Sequence, residues 1–260
     1  MTKETTAQSD RIEYISQPLP VNMGNAWYEY APPDHFWMRR RFQVLRRLAA
    51  PQPSATWGEV GCGHGAVQLQ MDEELGIAVD GIELNEEALR CSIARRGRLL
   101  CYNILDRESL MHESYDNVIL FDVLEHIDDD RAFFDSALHL VRPGGSLIIN
   151  VPAFMHLWSP YDLAQGHVRR YTIAEIARLV ESCENVSIRR WTYWGAPFLP
   201  LLYARKVYLK FVSPDNVIKS GFSVGNQLVN QAFSWLSRCE WIPQHRCGTS
   251  LMLVIDKHSA

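Results

Sequence analysis

The stretch Glu59-Val-Gly61-Cys-Gly63-His-Gly65 restricts what this 260-residue chain can become more than any other feature. It ends a strand-like run over 54–60 and precedes a segment, 66–74, whose spacing predicts a helix. Glycines in such a strand-to-helix turn take positive φ and let the backbone approach a ligand where a Cβ would intrude. A second acidic residue, Glu83, closes the next strand-like run at 78–82. A carboxylate there accepts from both hydroxyls of a ribose, so loop and Glu83 together predict a nucleoside-containing cofactor.

The rest of the chain repeats this strand–helix alternation. Strand-like runs fall at 56–60, 78–82, 98–102, 117–121 and 146–151, and helical spacing at 85–95 and 130–141. Such alternation predicts a parallel sheet with helices on both faces and ligands at the carboxyl ends of the strands. Asp34 is the candidate N-cap of an earlier helix that runs to about Ala49 and stops before Pro51 and Pro53. Residues 1–20 are polar, end in Pro18-Leu-Pro20, and are expected as a loose tail. Gly61-Cys-Gly63-His-Gly65-Ala66 also satisfies the dinucleotide pattern, which leaves an NAD-dependent oxidoreductase as an alternative. Against it, Glu59 would repel a pyrophosphate and attract a methionine ammonium, and Gly65 opens the turn where phosphate would be gripped. Both features favour S-adenosylmethionine.

Three ordered motifs resemble those of class I S-adenosylmethionine-dependent methyltransferases. They are the glycine loop, the run Tyr115-Asp-Asn-Val-Ile-Leu-Phe-Asp122-Val-Leu-Glu125-His126, and the corner Val141-Arg-Pro-Gly-Gly-Ser-Leu-Ile-Ile. The resemblance implies a Rossmann-like α/β fold with a seven-stranded, mostly parallel sheet, whose last strands, 186–193 and 250–256, form an antiparallel edge. It places Glu59, Gly61, Gly63 and Gly65 at the methionine portion of the cofactor, Glu83 and Leu84 at the ribose, and Asn103 and Ile104 at the adenine, with Asp106 as alternate. Asp122 would lie beside the sulfonium. Asn103 departs from the Asp usual in the family, and a turn role competes for it.

Asp122, Glu125 and His126 stand at i, i+3 and i+4, a spacing that can hold a cation. The same pattern serves packing and turns, and no metal is expected. His126 is instead a candidate general base, since an unperturbed imidazole titrates near neutrality. The stretch Gly166-His167-Val-Arg169-Arg170-Tyr171-Thr172 resembles one in a subgroup of bacterial methyltransferases. His167 or Tyr171 can touch the acceptor and an arginine can hold an anionic group; alternatively, His, Arg and Asp162 brace the loop. Trp27, Tyr30, His35 or Arg39 from the N-terminal segment can close the site, although a run of arginines is commonly a solvated face.

Thr172 and Glu175 form a capping box opening a helix to about Cys183. Over fifty residues then separate the last two strands, far more than a hairpin needs. The segment 197–247 is rich in Tyr, Phe, Leu and Trp, with helices expected near 198–212 and 224–239, and reads as a lid or as a shielding helical layer. The chain thus divides into a tail and cap helix (1–50), a core (51–196 and 248–260) and the insert.

A net charge of −4 argues against a nucleic-acid substrate. Six cysteines without metal spacing, and no apolar leader, suggest a reduced cytoplasmic protein. The expected function is methyl transfer to an oxygen of an aromatic or lipid-like small molecule, because the insert is so apolar. A non-methylating binder or cyclase on the same fold is the other alternative. Peripheral membrane contact and oligomeric state are left open.

Overall fold

In a computed structural model, residues 11–19, 32–212, 216–217 and 226–259 are described. Trp27, Tyr30 and the expected start of the second insert helix lie outside the described residues. Eight strands form one sheet: β1 (Ile12–Tyr14), β2 (Trp57–Val60), β3 (Asp80–Glu83), β4 (Leu99–Cys101), β5 (Tyr115–Phe121), β6 (Val141–Pro152), β7 (Val186–Trp194) and β8 (Ser250–Lys257). Their order is β1-β4-β3-β2-β5-β6-β8-β7. Pairings from β1 through β6 are parallel, and β8 runs antiparallel to both β6 and β7.

The seven-stranded expectation falls one short, and the tail supplies the difference. Ile12–Tyr14 pairs with β4, Ile12 is buried, and the amides of Ile15 and Ser16 donate to the Cys101 carbonyl at 2.9 and 3.0 Å. Three residues with one buried side chain carry little periodicity, so only the open edge of β4 makes them a strand.

The central strands alternate between two cores. Val118 and Leu120 of β5 face one side, with Leu147, Ile149 and Val151 of β6; Ile119, Phe121 and Ile148 face the other. The first core packs against α4 (Asp130–Leu140) and α6 (Ile173–Glu181), the second against α1 (Phe36–Ala49) and α2 (Ala66–Leu75). Burial on both faces is why these strands read as unbroken apolar runs. The capping box appears as expected, with Glu175 accepting from the Thr172 amide and hydroxyl, both at 2.7 Å.

Two helices differ from the sequence expectation. α1 is capped by His35 rather than Asp34: His35 Nδ1 accepts from the Trp37 amide at 3.2 Å. The Phe36 amide also donates to Asn230 Oδ1 at 2.7 Å, so the insert helix α8 (Gln227–Arg238) helps set where α1 begins. The helix expected over 85–95 shrinks to α3 (Glu86–Arg90), because the chain leaves it to let the Ile93 amide donate to the His64 carbonyl at 2.8 Å. Between β6 and α6 lies α5 (Pro160–Ala164); the insert also contributes α7 (Leu199–Tyr208). Among the described residues no helix is long and apolar enough to cross a membrane.

Candidate active site

At the carboxyl ends of β2 and β5, the glycine loop, the turn after β5, α1 and the insert helices enclose a cavity of about 720 Å³. Gly61 has φ +69°, and a Cβ there would lie 2.3 Å from Val123 Cγ2. The loop therefore touches the turn that carries Asp122, Glu125 and His126. The Gly61 amide donates to the Ile82 carbonyl at 2.8 Å, which ties the loop to the end of β3.

Glu59, Gly61, Gly63 and Asp122 all line the cavity. Glu59 is buried, one of its carboxylate oxygens has no hydrogen-bond partner, and burial pushes its carboxyl up to about 8 against the pull of Arg41. Desolvation disfavours its charge until a cation approaches. A methionine ammonium is such a cation, so the residues present fit the cofactor that the sequence suggests.

Gly65, Glu83, Leu84, Asn103 and Ile104 lie outside the cavity lining. Gly65 is the N-cap of α2, at φ +86°. Glu83 accepts from the amides of Gly63, Leu84 and Asn85 at 3.0, 2.8 and 2.9 Å, so it organises the loop from below. Burial raises the Glu83 carboxyl, and those amides hold it partly back. Asn103 caps the short turn Ile104–Asp106, accepting from the Leu105 amide at 3.2 Å and donating to Asp106 at 3.0 Å.

Asp122 does not cap the turn that follows it. It sits at φ +54°, its carboxylate paired with Arg41 and accepting from Asn150 Nδ2 at 2.6 Å. Asn150 in turn accepts from Trp194 Nε1 at 2.8 Å. Arg41, not Arg39, is the α1 cation that reaches the site; Arg39 is exposed. A signal for this existed, since Arg41 shares the buried helix face of Met38, Phe42 and Leu45 at helical spacing. His35 lines the cavity as well.

His126 and His167 both face the cavity, their rings 4.8 Å apart and nearly perpendicular. Burial and then the His167 charge lower His126 to about 4. Tyr171 is different. It lies outside the lining, its hydroxyl within reach of Asp130 Oδ2 at 2.9 Å and the Leu124 carbonyl at 3.2 Å. Burial, reinforced by Asp130, keeps that phenol protonated far above its usual range, so it braces the turn rather than touching an acceptor.

The brace expected from the 157–172 stretch is built on Asp162. This carboxylate accepts from the Ser159 amide at 2.8 Å and from Arg170 Nε at 2.7 Å, and lies 3.1 Å from His167 Nδ1. Those partners hold its carboxyl well below the ordinary range despite burial. Arg170 also donates to the Ala153 carbonyl at 3.1 Å, whereas Arg169 turns away to Asp130 at 2.6 Å. Arg170→Met, which leaves a buried carboxylate without its main cation, is expected to destabilise the fold by about 3 kcal/mol. Urea unfolding measures this; an unchanged midpoint would sink the brace.

Comparison with known proteins bears on this geometry. A methyltransferase domain model matches residues 34–184, more than half of the chain. A probable S-adenosylmethionine-dependent methyltransferase of Mycolicibacterium smegmatis is 28% identical over 152 residues, 57% of this chain and 59% of its own length. A ubiquinone biosynthesis O-methyltransferase of Idiomarina loihiensis is 27% identical over 165 residues, 55% of this chain and 65% of its own. The matches thus span less than two thirds of either relative. The fold resembles phosphoethanolamine N-methyltransferase 2 of Haemonchus contortus, solved with S-adenosylmethionine, at a TM-score of 0.55 and 18% identity. That match covers 86% of this chain and 53% of the other. Between dinucleotide and methyl donor, the choice falls on S-adenosylmethionine. The chain belongs to the methyltransferase domain family and carries an S-adenosylmethionine-dependent methyltransferase domain.

Proposed function

We infer that the protein transfers a methyl group from S-adenosylmethionine to an oxygen of a small acceptor with an aromatic or lipid-like body. One observation carries this reading. A single cavity runs from the glycine loop to an apolar end formed by Phe36, Phe198, Leu202 and Phe233, with His126 and His167 also on its wall. S-adenosylmethionine supplies a sulfonium-bound methyl that leaves by in-line displacement, so the protein's work is alignment and exclusion of water.

In this reading Glu59 accepts from the methionine ammonium, and Arg41 complements the methionine carboxylate. Glu83 and Leu84 take the ribose, Asn103 and Ile104 the adenine, and Asp122 borders the sulfonium. His126 and His167 receive the acceptor hydroxyl. The insert 197–247 acts as the lid, supported by α7 and α8 side chains on the cavity wall. The 166–172 stretch belongs to the acceptor side, and six unpaired cysteines suit a cytoplasmic setting.

Two measurements test this. S-adenosylhomocysteine at one hundred times its dissociation constant should stabilise the protein by about 2.7 kcal/mol, and NAD should not. With phenolic, catecholic and long-chain hydroxy acceptors, S-adenosylhomocysteine should accumulate, and His126→Ala or His167→Ala should slow turnover by about 10²–10⁴-fold. Turnover on amines alone would refute the oxygen acceptor, and stabilisation by NAD alone would refute the reading as a whole.

A further inference from the structure

We propose that Glu125, His126 and His167 form a binding site for a divalent transition-metal ion on the wall of this cavity. One carboxylate oxygen and one ring nitrogen from each histidine lie within 4.8 Å of one another. His167 Nε2 stands 3.9 Å from Glu125 Oε1, and all three residues line the cavity. Small rotations bring such donors to the distance of about 2.0–2.2 Å that imidazole and carboxylate ligands keep from a metal.

The state of Glu125 points to a cation. Its side chain is 1% exposed, and among the described residues neither carboxylate oxygen makes a hydrogen bond of ordinary geometry. Buried carboxylates are paired or coordinate metals. The guanidinium of Arg170, which also lines the cavity, is held by Asp162 and the Ala153 carbonyl.

Both histidines also have the outer support that metal ligands use. His167 Nδ1 lies 3.1 Å from Asp162 Oδ1, which leaves Nε2 turned toward Glu125. The Gly166 backbone lies beside the His126 ring. A carboxylate or carbonyl behind the imidazole fixes tautomer and ring direction at metal sites. Asp162 is itself pinned by Ser159 and Arg170, so the 159–170 loop aims His167 at the other two ligands.

Asp122 is not part of this set, because Arg41 and Asn150 occupy its carboxylate. The sequence spacing of Asp122, Glu125 and His126 therefore points to the wrong third ligand. The tertiary structure replaces Asp122 with His167 from another loop. Two imidazoles and one carboxylate suit Zn²⁺, Co²⁺, Fe²⁺ or Mn²⁺ better than Mg²⁺ or Ca²⁺, which favour oxygen cages. Three protein ligands leave a coordination position open to the cavity. An acceptor hydroxyl bound there would lose its proton more readily, and the imidazoles would serve as ligands rather than as the base. That last role rests on the methyltransferase reading; the binding of the ion does not.

Cobalt(II) titration of the chelator-stripped, full-length protein provides the test. About one equivalent should bind with a visible d–d band. His167→Ala and Glu125→Gln should each weaken binding by at least about tenfold, and Asp162→Asn by about 10–100-fold through loss of aim. Asp122→Asn should leave it within about threefold. Far-ultraviolet circular dichroism and urea unfolding, followed in parallel, show that each variant is folded, and S-adenosylhomocysteine affinity is read on the parent protein. The proposal fails if no stoichiometric band appears, if His167→Ala binds as tightly as the parent, or if Asp122→Asn loses as much as His167→Ala. A sulfur-to-cobalt charge-transfer band would assign binding to cysteine and also overturn it. Cobalt binding without S-adenosylhomocysteine binding would instead count against the methyltransferase reading and leave the ion site standing.

Discussion

Gly61→Ala is expected to destroy cofactor binding and to weaken the fold by about 3 kcal/mol. The methyl group would stand 2.3 Å from Val123 Cγ2, at a backbone φ of +69°. Left-handed geometry costs a residue with a Cβ about 1–2 kcal/mol, and forced overpacking about 1–3 kcal/mol more. Relief requires the loop or Val123 to move. Val123 follows Asp122, itself at φ +54°, so motion there shifts the carboxylate that Arg41 and Asn150 hold. Affinity for S-adenosylhomocysteine should fall by at least about a hundredfold, since a displacement of about an ångström is costly in a preorganised site. Calorimetric titration and urea unfolding measure the two effects. A variant that binds within a few-fold of the parent would show that the loop has slack the packing denies.

Cofactor affinity should depend steeply on pH through Glu59. In the free protein its carboxyl is held up at about 8, so it is largely protonated at neutral pH. Binding an ammonium favours the carboxylate, and the complex therefore releases a proton below pH 8. Affinity should rise by about tenfold per pH unit between about 6 and 8. Above that range the ligand's own α-amino group, with a pKa of about 7.7–8.0, begins to lose its charge, and affinity should fall again. The stability of the free protein moves the other way. Glu59 binds its proton more tightly folded than unfolded, so its contribution is full below about pH 4.5 and is lost as pH rises through about 8. Glu59→Gln should remove the rising limb and weaken binding at pH 8 by about 10–100-fold, the worth of a charge-assisted hydrogen bond. An unchanged slope in that variant would place the titrating group elsewhere.

Much of this site was legible from sequence, for identifiable reasons. Glycine, acidic and strand-end positions carry local information: Gly61 needs positive φ, Glu59 is the penultimate residue of β2, and Asp122 directly follows β5. Alternation predicts a parallel sheet that gathers such residues at the carboxyl ends of its strands, whereas the strand order that sets their neighbours comes from the structure. Arg41 was harder, because Arg39, Arg40, Arg41, Arg46 and Arg47 look alike in a row. Only helix phase separates the one that reaches Asp122 from Arg40, which is buried against Glu240, and from Arg39, Arg46 and Arg47 in solvent. Tyr171 was misjudged for the opposite reason. Its neighbours are chemically suggestive, but the turn after β5 takes its hydroxyl.

The sequence by itself determined the alternating sheet, the glycine turn, the capping box of α6 and the acidic residues at strand ends. Each depends on interactions within a few residues or on a simple period. Tertiary structure alone decided that 12–14 would become a strand, that Asn230 would help cap α1, and that Asp162 would stand behind His167. It also brought His167 against Glu125 and His126, some forty positions apart in the chain. Such meetings depend on how loops close over a finished sheet, and local propensity holds no record of them.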